Sequence, residues 1–189
     1  SGQYGEKGVH TTFYQKGLLN TMENLEKLRE NTYEVDSTES YQKTIEYYNS
    51  ISGRIFPLVK VSGIFDRVWM GMQMGKFAYH YRKNTKLYRE IVRYYGEIMI
   101  KNTQGLVEAT GGDAKAVCIL DDIAFKGRLM LSPERWEKDL GKYFKEAIGI
   151  IVDAGMVPVT HTDGDVTELV PQFQKVGFRG LQGWEGGAD

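Results

Sequence analysis

The sequence has little cysteine and no excess of charge of one sign. Its one cysteine, Cys118, excludes a disulfide framework and a metal site built from paired cysteines, and it suits a reducing compartment such as the cytoplasm. No apolar run approaches the roughly 20 residues that a membrane-spanning helix needs, and the N-terminal residues lack the apolar segment of a signal peptide. Because 24 Lys and Arg residues nearly balance 25 Asp and Glu residues, net charge indicates neither nucleic acid nor a membrane as a partner.

The sequence does have an alternation of apolar runs and helical patterns. With 189 residues and 41% hydrophobic content the chain can form the core of a single domain over 1–189, and residues 1–38 read as a polar lead-in segment. Patterns typical of helices alternate with apolar runs that predict buried strands over 55–61, 115–120, 157–160 and 178–182. Strands that are apolar on both faces and joined by helices predict a parallel sheet, so the expected class is α/β.

Polar side chains follow each of these predicted strands. Function collects at the carboxyl ends of parallel strands, because the loops there converge on one face. The residues at these ends are Ser62 and Asp66; Asp121, Asp122 and Lys126; His161, Asp163 and Asp165; and Trp184 and Glu185. For Asp121 and Asp165 we favour a role in capping a turn or helix, whereas Asp122 and His161 are better placed for function.

His161 and Asp163, joined by a carboxylate from a neighbouring loop, leave two chemistries open. The set offers nitrogen and oxygen ligands for Zn²⁺ or a similar ion. Without a metal, the same residues could act as an acid/base pair in which the carboxylate raises the pKa of the imidazole. The predicted catalytic residues are Asp122, His161 and Asp163, the predicted metal ligands are His161, Asp163 and Glu185, and the residues expected to contact substrate are Asp66, Lys126 and Trp184.

Residues 121–189 resemble the second half of the uroporphyrinogen decarboxylase superfamily, which includes the cobalamin-dependent methyltransferases and demethylases. The resemblance rests on the Asp-Asp pair after a strand, the "LSPE" opening of the next helix, the "HTDGDV" loop followed by "ELVPQF", and the closing "GLQGWEGGAD". It implies a parallel (β/α) barrel of the TIM type. Such barrels take about 250 residues, so we expect an incomplete barrel of four to five βα units, truncated at the C-terminus and also at the N-terminus.

The resemblance also implies an activity. The methyltransferase branch commonly reads His-x-Cys in this loop and binds zinc, whereas here Asp163, a harder ligand, occupies the cysteine position. Oxygen-rich zinc sites in demethylase members keep methyl transfer open, from a small-molecule donor to a corrinoid on a partner protein. The ligands would then be His161, Asp163, Asp122 and Glu185.

Two alternatives to methyl transfer remain. One is uroporphyrinogen III decarboxylation in tetrapyrrole biosynthesis, for which Arg67 and Arg128 are too few to bind the many carboxylates of the tetrapyrrole. The other is an inactive or structural barrel fragment. Unpaired strand edges should promote association, so we expect a homo-oligomer.

Overall fold

The computed structural model describes residues 17–31, 38–51, 56, 58–111, 114–125 and 127–183. Helices α1 (Met22–Glu30) and α2 (Thr38–Ser50) precede strand β1 (Leu58–Ser62), and helices α3 (Phe65–Met72), α4 (Met74–Lys83) and α5 (Lys86–Thr110) follow it. Strand β2 (Ala116–Leu120) leads into a short hairpin of β3 (Ala124–Phe125) and β4 (Arg128–Leu129), and then into helix α6 (Pro133–Trp136), a π-helical segment (Glu137–Gly141) and α7 (Lys142–Asp153). The last elements are β5 (Val157–His161), a 3₁₀ turn (Thr167–Leu169), α8 (Val170–Val176) and β6 (Gly180–Gln182).

Four strands form one sheet in the order β1-β2-β5-β6, and every pairing is parallel. The order of the four strands in the sheet is therefore the same as their order in the sequence. A doubly wound fold would show a reversal of that order. The predicted α/β class with a parallel sheet is confirmed. The arrangement is consistent with part of an α/β barrel, but the sheet in the described residues is open, so a closed barrel is not shown.

Alternate residues of the strands build the core. Val59, Val61, Val117 and Ile119 are buried together in the main hydrophobic cluster, and α5 and α7 pack on the sheet through β1 and β5. Each fully buried aliphatic side chain contributes about 1.5–3 kcal/mol. Because side chains alternate along a strand, the next residue of β5 after the buried Thr160 points to the opposite face. That residue is His161.

Four aromatic members of the same hydrophobic cluster join the helices that follow β2 and β5. Trp136 is fully buried, with its ring centroid 5.1 Å from that of Phe144 and 5.4 Å from that of Phe173. Phe178, just before β6, lies 5.7 Å from Phe173. These contacts fix α6, α7 and α8 against one another, and so fix the loops that lead into them.

The helices begin where local signals predict. The Thr85 hydroxyl accepts a hydrogen bond from the Tyr88 N–H at the start of α5, and the Ser132 hydroxyl accepts one from the Arg135 N–H at the start of α6. Helix α5 ends at Gly111, which has a left-handed φ of 53°. None of the described helices combines the length and apolar character that crossing a lipid bilayer would require.

Two local features of the structure are not evident from the sequence. The segment 121–131, which its sequence predicts to be a plain loop, contains the β3–β4 hairpin, whose two-residue strands are too short to show an alternating pattern. The methionine-rich segment after β1 breaks at Gln73, which has a φ of 69°. The break lets the ring of Phe65 on α3 meet that of Phe77 on α4 edge-on at 5.3 Å.

Candidate metal centre at the carboxyl ends of the strands

Three of the predicted site residues meet at the ends of β2 and β5. The parallel pairing places Leu120 opposite His161, so the residues that follow β2 lie at the level of the imidazole. The Nε2 atom of His161 is 3.9 Å from Oδ1 of Asp122 and 3.7 Å from Oδ1 of Asp163. One ligand atom from each of the three residues lies within 4.8 Å of the others. We call these residues the His161 cluster.

Hydrogen bonds donated by backbone N–H groups connect the two segments that carry the cluster. The Asp163 N–H donates to Oδ1 of Asp122 at 3.2 Å, and the Asp121 N–H donates to the carbonyl of His161 at 2.9 Å. The side chain of His161 is 22% exposed, whereas those of Asp122 and Asp163 are 41% and 58% exposed. The histidine is therefore the most buried member of the cluster, and the two carboxylates are open to solvent.

Glycines allow two close approaches around the cluster. Gly164 has a φ of +82°, and a Cβ there would lie 2.5 Å from the carbonyl oxygen of Phe125 in β3. Gly183 has a φ of +98°, and a Cβ there would lie 3.0 Å from Nδ1 of His161. That Nδ1 atom is buried and has no hydrogen-bond partner among the residues that the structure describes. Only glycine fits these positions without a shift of the neighbouring backbone or ring.

Two further carboxylates lie on the β1 side of the cluster. Asp121 is 2% exposed and accepts a hydrogen bond from the Asp66 N–H at 2.9 Å, at the start of α3. The expected role of Asp121, capping the turn that directly follows it, is therefore wrong, because its carboxylate bonds instead to the start of the helix that follows β1. Burial raises the pKa of Asp121 well above its usual range, and the charge of Asp66 acts in the same direction.

The predicted substrate residue Asp66 lies beside Asp121. Burial raises the pKa of Asp66, with a smaller contribution from the charge of Asp122, while the Arg67 N–H that bonds to its carboxylate lowers it. The other predicted site residues Lys126, Trp184 and Glu185 lie outside the described residues. Asp165 accepts a hydrogen bond from the Thr167 N–H at 2.9 Å, as a residue that caps the following turn should.

The donor set of the His161 cluster fits a divalent ion such as Zn²⁺. Zinc binds imidazole nitrogen and carboxylate oxygen at about 2.0–2.2 Å, so neighbouring ligand atoms of a tetrahedral site lie about 3.4 Å apart. The two separations from Nε2 of His161, 3.7 and 3.9 Å, exceed this by a few tenths of an ångström, and all three ligand atoms lie within 4.8 Å of one another. Small rotations of the half-exposed carboxylates would close that gap. Three protein ligands with an open position are typical of catalytic zinc sites.

The comparisons with known proteins bear on the fold. No protein-family model and no curated protein matches the chain. Among solved structures, a methyltransferase from Methanosarcina mazei is similar, with a TM-score of 0.57 and 21% sequence identity over 75% of this chain. The match covers 40% of the methyltransferase, so the chain spans less than half the length of that protein. At this identity the likeness shows a shared fold.

Proposed function

We propose that this chain is part of a methyltransferase in which Asp122, His161 and Asp163 hold a divalent metal ion, with zinc as the expected ion. The reaction would move a methyl group from a heteroatom of a small-molecule donor to a corrinoid on a partner protein. The observation that carries the proposal is the meeting of one imidazole and two carboxylates at the ends of adjacent parallel strands. The fold likeness to a methyltransferase agrees with it.

The spacing within the His161 cluster favours a metal over a metal-free acid/base pair. Hydrogen bonds from an imidazole nitrogen to a carboxylate oxygen span about 2.7–3.2 Å, whereas the two separations from Nε2 are 3.7 and 3.9 Å. Neither carboxylate therefore holds the imidazole directly through Nε2. A cation between the three groups would contact all of them at once and would offset the repulsion between the carboxylates.

Each residue of the cluster then has a defined role. His161, at the end of a strand buried on its helix side, supplies the nitrogen ligand. Asp122 and Asp163 supply two negative charges, which balance a divalent cation, and the N–H of Asp163 orients the Asp122 carboxylate. A bound metal would polarise the heteroatom of the methyl donor as a Lewis acid. The exposed side of the carboxylates leaves room for that donor to approach.

The arginines of the described residues favour methyl transfer over decarboxylation of a tetrapyrrole. The guanidinium of Arg67 lies over the ring of Tyr95, 5.7 Å from its centroid. Arg128 lies on the exposed side of the β3–β4 hairpin. A substrate with many carboxylates needs several convergent cations, and two arginines at this end of the sheet are too few for that.

Metal content tests the metal-binding part of the proposal. The 189-residue chain would be loaded with zinc, dialysed against metal-free buffer and analysed for bound metal, beside His161→Ala. The matched control is His80→Ala, because His80 lies on α4, where its Nδ1 bonds to the Thr85 hydroxyl at 2.9 Å. We expect near-stoichiometric zinc in the wild type and in the control, and its loss in His161→Ala. A wild-type chain that retains no zinc, or a His161→Ala chain that retains it, contradicts the proposed site.

Methyl transfer is tested separately with free cob(I)alamin and a set of methylated thiols, amines and phenol ethers. The donor's heteroatom–methyl bond breaks and a cobalt–methyl bond forms, so methylcobalamin appears as the demethylated donor accumulates. We expect this reaction to require both zinc and His161. A chain that binds zinc at the cluster but methylates no corrinoid would contradict methyl transfer, and would favour a structural metal site.

A further inference from the structure

We infer that Thr162 is a positioning residue whose buried hydroxyl fixes the loop of Asp122 against the loop of Asp163, and so sets the spacing of these two carboxylates. The inference deepens the proposed function, because it rests on the His161 cluster being a metal site. It concerns a side chain that touches neither metal nor substrate. It therefore acts only through its neighbours.

The contacts of the hydroxyl carry the inference. Thr162 is 1% exposed, and its Oγ1 accepts a hydrogen bond from the Ile123 N–H at 3.2 Å. The same hydroxyl donates to the carbonyl of Asp163, also at 3.2 Å. Ile123 directly follows Asp122 in the chain. The Thr162 hydroxyl therefore bonds both to the neighbour of Asp122 and to the backbone carbonyl of Asp163.

The surroundings give the hydroxyl no substitute. Ile123 is 1% exposed, so its N–H would have no water to replace Thr162. The Thr162 N–H donates to the carbonyl of Gln182 at 3.4 Å, which ties the same residue to the end of β6. Loss of the hydroxyl therefore leaves a buried donor unsatisfied, and the two loops would have to move apart to hydrate it.

The decisive variant is Thr162→Val, which keeps the shape of the side chain and removes the hydroxyl. Thr162→Ser retains the hydroxyl and should rescue the site. The matched control is Thr160→Val, because Thr160 is also buried, at 2% exposure, and its hydroxyl donates to the Ile119 carbonyl at 3.4 Å within the sheet. The control loses a comparable hydrogen bond without touching either ligand loop.

Zinc affinity, measured by competition with a chromophoric chelator, is the first readout. Removal of groups that orient metal ligands typically lowers affinity about 10- to 100-fold, and we expect a loss in this range for Thr162→Val. Thr162→Ser and Thr160→Val should stay within a factor of about three of the wild type. Wild-type affinity in Thr162→Val, failure of the serine to rescue, or an equal loss in Thr160→Val would overturn the inference.

Amide hydrogen exchange gives a readout that does not need the metal. The Ile123 amide should exchange slowly in the wild type and in Thr162→Ser, and at least about tenfold faster in Thr162→Val, while the amides of β2 stay unchanged. If the wild-type chain binds no zinc, the metal proposal fails, but this measurement still decides whether Thr162 joins the two loops. Unchanged exchange at Ile123 would overturn the inference whatever the metal result.

Discussion

Replacing Gly164 by alanine tests how closely the β3–β4 hairpin holds the loop of Asp163. Two costs follow from the structure. An L-residue at the left-handed φ of +82° costs roughly 1–2 kcal/mol. The new Cβ would also lie 2.5 Å from the Phe125 carbonyl oxygen, and relieving such an overlap costs roughly 1–3 kcal/mol more. The expected loss in free energy of unfolding is therefore roughly 2–5 kcal/mol in total.

Gly155→Ala separates the two costs. Gly155 has a similar φ of +75°, but no heavy atom lies within 4 Å of a Cβ placed there. The loss in free energy of unfolding for Gly155→Ala should therefore stay at roughly 1–2 kcal/mol. Urea denaturation followed by circular dichroism measures both variants, and zinc competition should show weakened binding only in Gly164→Ala, because only that loop carries a ligand. Equal losses of stability in the two variants, with equal zinc affinities, would refute the close approach of the hairpin.

Three further predictions concern the core and its ionisable groups. Trp136→Ala should lower the free energy of unfolding by about 3–5 kcal/mol, since the ring is fully buried between Phe144 and Phe173; a loss below about 1 kcal/mol in urea denaturation would contradict that packing. Cys118 is fully buried, and burial raises the pKa of its thiol, so iodoacetamide at neutral pH should alkylate it on the order of 100-fold more slowly in the native chain than in urea; equal rates would show that the thiol is accessible. The pKa of Asp66 is higher in the folded chain than its value of about 3.9 in the unfolded chain, so the folded chain holds this proton more tightly. The resulting contribution to stability is full below about pH 3.9 and is lost as the pH rises through the pKa of the folded chain. Asp66→Asn removes this titration, so the stability of the variant relative to the wild type should increase between about pH 4 and pH 7, and a difference that stays constant with pH argues against the shift.

The strands and the α/β class could be predicted because their signals are local. The apolar runs at 115–120 and 157–160 and the caps at Thr85 and Ser132 lie within or next to single elements. The same patterns place polar residues at the carboxyl ends of the strands. Parallel pairing then brings Asp122 to the level of His161, which is why three predicted site residues meet. Their chemical roles remain predictions.

The supports of the site could not be predicted, because they depend on contacts between distant parts of the chain. Thr162 bonds to Ile123, 39 residues earlier, and a threonine at the end of a strand carries no local sign of that partner. Gly164 reads as a residue that permits a turn, and the sequence does not show that the hairpin lies against it. The π-helical segment Glu137–Gly141 occurs within an ordinary amphipathic pattern, which does not distinguish it from an α-helix.

X-ray absorption spectroscopy of the zinc-loaded chain tests the central claim most directly. The account predicts nitrogen and oxygen ligands at about 2.0–2.2 Å with the scattering of a single imidazole, and loss of that imidazole signal in His161→Ala. A sulfur ligand at about 2.3 Å would place the zinc at Cys118 and contradict the account. So would an imidazole signal that persists without His161.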